Sequence, residues 1–208
     1  MLLTQLDREH KVIAVTSSSP GEGKTTTSTN LAMSLAQMGK VLLIDGDLRK
    51  PSIAKRFDIP VFHPGLSNLI VGTEQLSECT HIDEQSGVTI MPSGQIPGNP
   101  LELLSSNRFN ELLVSLKETY DHIIIDTPPT QAVSDALVIS QNTDSVIYVV
   151  KADLTRIKPI KAGIERLFES KAHIAGVVVN QVDITKSKEE HNYGYYDYYD
   201  YSQKSEQS

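Results

Sequence analysis

The sequence predicts a doubly wound α/β domain on a mainly parallel sheet, and three observations carry that expectation. Short apolar runs alternate with helical patterns from residue 12 to about residue 184. Most of these runs are continuous rather than alternating, as strands covered on both faces require. The first run opens onto a glycine-bearing loop, then Gly-Lys-Thr, then a long helical pattern. Strand, glycine loop and helix in that order place a ligand at the carboxyl edge of such a sheet.

Strands are expected at 12–16, 41–44, 88–91, 122–125, 145–150 and 174–179, with helices at 24–38, 101–119, 134–141 and 157–170. Residues 51–65 read as irregular, with Pro51, Pro60 and Pro64, and residues 65–72 as a short helix closed by Gly72. The segment 92–100 is a loop that either borders a ligand or merely connects. It feeds a helix near Leu101 with Glu102 in its first turn, where an acid suits the helix dipole.

At 208 residues the chain is long enough to bury one sizeable core. The reading is one folded domain over residues 1–184 and a polar tail over 185–208. A net charge of −7 argues against a broad nucleic-acid surface. The single cysteine, Cys79, excludes a disulfide framework and a cysteine-cluster zinc site, and reads as a small, semi-buried apolar side chain. No run of about 18 apolar residues is present, and residues 1–7 do not resemble a signal peptide. A soluble domain is therefore expected, and its start is equally compatible with a boundary inside a longer polypeptide.

Residues 17–26, Ser-Ser-Ser-Pro-Gly-Glu-Gly-Lys-Thr-Thr, carry the clearest chemistry. The phosphate-loop pattern is G-x-x-x-x-G-K-[ST], and here Ser18 occupies the first glycine position. Gly21 and Gly23 let successive backbone N–H groups turn toward one anion at the positive end of a helix. Pro20, Gly21, Glu22, Gly23, Lys24, Thr25 and Thr26 are the expected nucleotide-binding residues. Lys24 is placed to reach the terminal phosphates, and Thr25 offers a hydroxyl to Mg²⁺.

Two acidic strand ends complete the pattern. Asp45 and Asp47 follow the apolar run at 41–44, and alternate residues of an extended chain point the same way. Beside a phosphate loop, such a pair suits either a Mg²⁺ shell or a general base for an attacking hydroxyl. Asp126 closes the apolar run at 122–125, the position whose carboxylate bears on the metal in phosphate-loop enzymes. His122, at the start of that run, reads as structural. Asn180 ends the last strand and either meets a base edge of the nucleotide or simply stops the strand.

Beyond residue 183 the apolar periodicity ends. Six of the eight tyrosines lie here: Tyr193, Tyr195, Tyr196, Tyr198, Tyr199 and Tyr201. Without aliphatic partners these phenols are expected to be exposed and mobile. The 18 residues from 183 to 201 reach up to roughly 60 Å extended, or about 24 Å as a flexible coil. Either distance brings a phenol to a phosphate site, on the same molecule or a neighbour.

Together the loop at 17–25, the D-x-D-x-R core within 42–51, the acidic strand end within 123–129 and the terminal tyrosines resemble the bacterial tyrosine kinases (BY-kinases), autokinases that regulate capsule and exopolysaccharide synthesis. The resemblance runs over about residues 10–201, and the second acidic stretch is its most specific element. It implies a deviant-Walker phosphate-loop fold and MgATP-dependent phosphorylation of the tail tyrosines, mostly between neighbouring subunits. Carried over, Lys24 holds the phosphates, and Thr25, Asp47 and Asp126 serve the Mg²⁺. Asp45 orients or deprotonates the incoming tyrosine, and Arg49 completes the second motif. The implied partners are further subunits in a ring, a membrane chain-length regulator (fused or separate) and a tyrosine phosphatase, at the cytoplasmic face of the plasma membrane. Family members carry an E-x-x-R-x-x-R helix ahead of the first strand that supports ring assembly, and no such pattern precedes residue 12.

Two other readings compete. A partitioning or septum-site ATPase has a signature lysine where this loop has Ser19, and commonly a basic or membrane-seeking surface rather than an acidic tyrosine-rich tail. The other is a catalytically idle regulatory module that binds nucleotide and docks through the tail; nothing in the motifs supports a loss of activity, since Lys24, Thr25, Asp45, Asp47 and Asp126 are all present.

Overall fold

A computed structural model describes residues 10–183; residues 1–9 and 184–208, including Tyr193 to Tyr201, lie outside the described residues. The chain forms β1 (Val12–Ser17), α1 (Lys24–Leu35), β2 (Val41–Asp45), α2 (Ile53–Arg56) and α3 (Leu66–Val71). Then follow β3 (His81–Ile82), β4 (Thr89–Met91), α4 (Pro100–Leu104), α5 (Asn107–Thr119) and β5 (His122–Asp126). The described chain closes with α6 (Asp135–Gln141), β6 (Ser145–Lys151), α7 (Ile157–Glu169) and β7 (Ile174–Asn180).

One seven-stranded sheet runs β3-β4-β2-β5-β1-β6-β7, with every pairing parallel except β3 against β4. Each strand's period of two divides its apolar residues between two layers. Val12, Ala14, Leu42, Ile44, Ile123, Ile125 and Tyr148 face the layer of α3 to α7, packing on Leu66, Leu104, Phe109, Leu113 and Leu167. Ile13, Val15, Leu43, Ile124 and Val149 face the other side and pack on Ala32 and Leu35 of α1 and Ile53 of α2. The strand order changes direction around β1, so the loop leaving β1 lies in the crevice where doubly wound sheets bind ligands.

The structure differs from the sequence reading at particular points. The helix expected over 101–119 is two helices, because Ser106 adopts an extended backbone and its side chain caps Phe109 N–H at the start of α5. The first helix ends at Leu35 rather than residue 38. The irregular stretch 51–65 contains the single turn of α2, and β3 was too short to leave a periodic signal. The last strand is not covered on both faces: β7 is a sheet edge whose exposed side shows Val177 and Val179. Cys79 is fully buried rather than half-buried, and the surrounding protein pushes its thiol up to about 11, so it is an inert core group. Gly72 does close α3, in the left-handed conformation.

Candidate active site

The loop between β1 and α1 is held from inside the protein. Glu22 is buried, and its carboxylate accepts the N–H of Ser19 at 2.8 Å and the hydroxyl of Thr155 from the β6–α7 connection. Its side chain therefore fastens the loop, and only its backbone is left for a phosphate. Pro20 has no N–H to donate and serves as a wall. Ser18, at the position of the usual first glycine, is fully buried and accepts a hydrogen bond from the Tyr148 hydroxyl at 3.1 Å. The side chain that a glycine would lack is thus bonded to the neighbouring strand β6.

Gly23 ends the loop at φ 92°, a left-handed backbone that only glycine adopts without strain. The first turn of α1 has neither a side-chain cap nor an acidic residue, so its N–H groups are open to an anion. Asn180, at the end of β7, donates its amide to Glu22 O at 3.0 Å and lies where a Cβ on Gly23 would fall. In this arrangement the Asn180 amide braces the loop. Gly23→Ala is expected to abolish nucleotide binding through both the strained φ and the clash with Asn180. Titration with a fluorescent ADP analogue, with folding followed by circular dichroism, checks this; unchanged affinity would remove the loop from the site.

Three elements bring the polar groups together. Register pairs Asp45 of β2 with Asp126 of β5, at equal height on neighbouring strands and on the face toward α1. Asp126 is fully buried, accepting from Thr25 Oγ1 at 2.6 Å and from Ser28 Oγ at 3.0 Å. Lys24 Nζ lies 3.4 Å from Asp126 Oδ2 and 3.5 Å from Asp47 Oδ2. Burial raises the Asp126 pKa, and the Lys24 charge and the two hydroxyls oppose that rise. Thr26, by contrast, takes its hydroxyl bond from Arg56 at an exposed position.

Asp45 is fully buried. Its Oδ2 accepts the N–H groups of Ser52 and Ile53, both at 2.9 Å, satisfying the start of α2. Its Oδ1 has a looser contact, Asp47 N–H at 3.3 Å. Burial first, then the backbone bond from Ile53 in opposition and the charge of Asp126, leave its pKa at about 7 instead of 3.8. A carboxyl poised near neutrality in a phosphate site has the properties of a proton acceptor.

Arg49 does not point at these carboxylates. Its Nε and Nη2 fork onto Asp135 at 2.7 and 3.0 Å, tying the β2–α2 turn to the first turn of α6. Asp135, which sequence reasoning missed, is fully buried. Nothing local marks it, since its partner lies 86 residues away. Ser28 was also missed, although its place three residues after Thr25 on α1 puts both hydroxyls on one helix face. His122 sits at the opposite end of β5, where burial lowers its pKa and its Nδ1 finds no partner among the described residues.

A profile of the AAA domain family matches residues 10–183. The tyrosine-protein kinase YwqD of Bacillus subtilis is 36% identical over 192 residues, covering 92% of this chain and 79% of that protein. The crystal structure of the VpsO kinase domain is 49% identical, covers 88% of this chain and 90% of its own, and superposes with a TM-score of 0.84. The chain belongs to the bacterial tyrosine kinases. A further likeness, to the septum-site-determining protein MinD of Pyrococcus horikoshii in complex with Mg-ADP, is more distant at 25% identity and a TM-score of 0.67. The bacterial tyrosine kinases and that protein share the phosphate-loop nucleotide-binding fold.

Proposed function

We propose that the chain is an ATP-dependent protein-tyrosine autokinase that phosphorylates its own terminal cluster, Tyr193, Tyr195, Tyr196, Tyr198, Tyr199 and Tyr201, and so regulates capsule or exopolysaccharide synthesis and export. One observation carries the reading: a fully buried carboxyl, Asp45, stands level with Asp126 on the neighbouring strand beside the phosphate loop, with its Oδ1 only loosely bonded. A switch ATPase needs no proton acceptor for a phenol. Supporting it, relatives at 33–39% identity are named tyrosine-protein kinases.

Thr25, Asp47 and Asp126 offer hard oxygen donors that suit Mg²⁺, and Asp47 and Asp126 already converge on the ammonium of Lys24. When bound, Mg²⁺ would neutralise charge building on the transferring phosphate. With ATP present, Lys24 moves from the two carboxylates to the terminal phosphates, while the loop N–H groups and the start of α1 hold the rest. The phenol oxygen attacks the γ-phosphorus in line, the bond to the β–γ bridging oxygen breaks, and ADP leaves. The phenol proton passes to Asp45, whose Oδ1 has the weaker internal bond. Arg49, clamped by Asp135, positions the turn that follows Asp45 and carries Asp47. Asn180, bonded to Glu22 O, holds the loop from β7 and is the residue offered to a base edge of the nucleotide.

The partners that fit are neighbouring copies, a membrane chain-length regulator and a phosphatase, with the work done at the cytoplasmic face of the plasma membrane. No helix among the described residues is long and apolar enough to cross a membrane. Intact mass after incubation with MgATP tests the reading. A ladder of phosphates mapping to residues 193–201, removed by a tyrosine phosphatase, is the expected outcome. ATP hydrolysis with no added mass, even with the membrane regulator supplied, would overturn it in favour of the switch ATPase.

A further inference from the structure

Beside the phosphate loop, on the side of the β6–α7 connection, lies a pocket of about 250 Å³ that the proposed chemistry does not use. Pro20, Gly21, Lys151, Leu154, Arg156 and Pro159 line it. Leu154 is 70% exposed, and the adjoining Ile157 at the start of α7 is 69% exposed. Residues 151–161 carry four cations, Lys151, Arg156, Lys158 and Lys161, against the single acid Asp153. Glu22, the one carboxylate lining the pocket, is turned inward onto Ser19 and Thr155. None of the four cations makes an ion pair with a described residue. This is an exposed surface of aliphatic groups and uncompensated positive charge, within reach of the catalytic loop.

The same sequence contains a segment with the complementary chemistry. Residues 189–201 hold Glu189, Glu190, Asp197 and Asp200, all six tail tyrosines, and neither Lys nor Arg. Aromatic rings pack well on aliphatic and proline surfaces, and guanidinium and ammonium groups favour both carboxylates and ring faces. We propose that the pocket at the β6–α7 connection is a docking subsite for the acidic tyrosine segment 189–201 of a second copy, holding part of it while one phenol enters the site at Asp45. This rests on the kinase reading above. The subsite selects tyrosines in an acidic context, so a phenol in neutral sequence is a poorer acceptor. Each phosphate added brings about −1.5 to −2 further charge, so the phosphorylated product binds the same cations more tightly and competes with fresh acceptor.

The test separates binding of the acceptor from chemistry. The enzyme is the full chain, either unaltered or carrying Arg156→Glu with Lys158→Glu, both exposed positions that leave the core untouched. A second variant, Lys151→Glu, addresses the pocket wall. The acceptor is a ¹⁵N-labelled full chain carrying Asp45→Asn, distinguished from the enzyme by mass. The variants are expected to raise the KM for acceptor roughly tenfold, with kcat and affinity for a fluorescent ADP analogue unchanged. An acceptor carrying Asp197→Lys and Asp200→Lys is expected to recover part of that loss with the charge-reversed enzyme and to be poorer with the unaltered one. An unchanged KM, or a loss of nucleotide affinity that accounts for the whole effect, would overturn the proposal. If the unaltered enzyme places no phosphate on any acceptor, the kinase reading is what fails. Co-sedimentation of the two copies, with and without the charge reversals, then reads docking directly.

Discussion

Asp45→Asn is expected to abolish tyrosine transfer and, at pH 8, to make the protein more stable. The two effects have one cause. Asp45 is enclosed between β2 and the start of α2, and burial raises its pKa from 3.8 to about 7. The unfolded chain releases this proton near pH 4, whereas the folded chain keeps it until about pH 7. The folded state therefore binds more protons over that window, and this group's contribution to stability falls as pH rises from 4 to 7 and is level above. The shift corresponds to roughly 4 kcal/mol at pH 8. Asparagine keeps an oxygen for Ser52 and Ile53 N–H but turns an amide toward Asp47 N–H, which returns about 1 kcal/mol of that gain. Chemical unfolding without nucleotide or metal checks the sign: the variant should lead at pH 8 and its advantage should narrow toward pH 4. Transfer should drop by about 10² to 10⁴, the range for losing a general base. Equal stability at pH 8, or retained phosphorylation, would contradict the assignment.

Lys24→Met is expected to be equally inactive with the opposite effect on stability. The lysine lies between Asp126 and Asp47, and its charge is the main influence opposing the raised pKa of Asp126. Its removal leaves a fully buried carboxylate supported only by the hydroxyls of Thr25 and Ser28. Losing one partner of a buried ion pair costs about 3 kcal/mol. Here the loss belongs to the ionised state, so it is present at high pH and shrinks as pH falls and Asp126 takes up a proton. Phosphate-specific mass shifts on the tail should disappear. Phosphate that persisted there in purified Lys24→Met protein would mean another enzyme had placed it.

The parts of the site that the sequence disclosed are those whose signal is local. Lys24 and Thr25 sit in a loop between a strand and a helix, and Asp45 and Asp126 each close an apolar run, so spacing alone places them at one sheet edge. What stayed hidden depends on distant partners. The Arg49–Asp135 fork spans 86 residues, the Glu22–Thr155 bond 133, and the Tyr148–Ser18 bond 130. No periodicity encodes such pairs, because they form only when the layers pack. The break between α4 and α5 was hidden for another reason: Ser105 and Ser106 are tolerated inside helices, and only the capping bond to Phe109 shows that the chain turns there. The edge position of β7 depends on strand order, which a run of valines does not specify.

The pairing of Asp45 with Asp126 has a bearing on how this protein can change over time. Both carboxylates reach the α1 face because each ends a strand of fixed count, and Gly46 N–H bonds to Asp126 O at 2.8 Å just beyond the pair. Side-chain direction reverses at every strand residue, so a single insertion or deletion within β2 or β5 carries a carboxylate through the sheet to the layer of α3 to α7. Point substitutions along these strands can be absorbed gradually by repacking, whereas a change of one in their length removes the site in a single step. Drift in chain length is thereby confined to connections such as the one between β3 and β4, where no ladder counts residues for the active site.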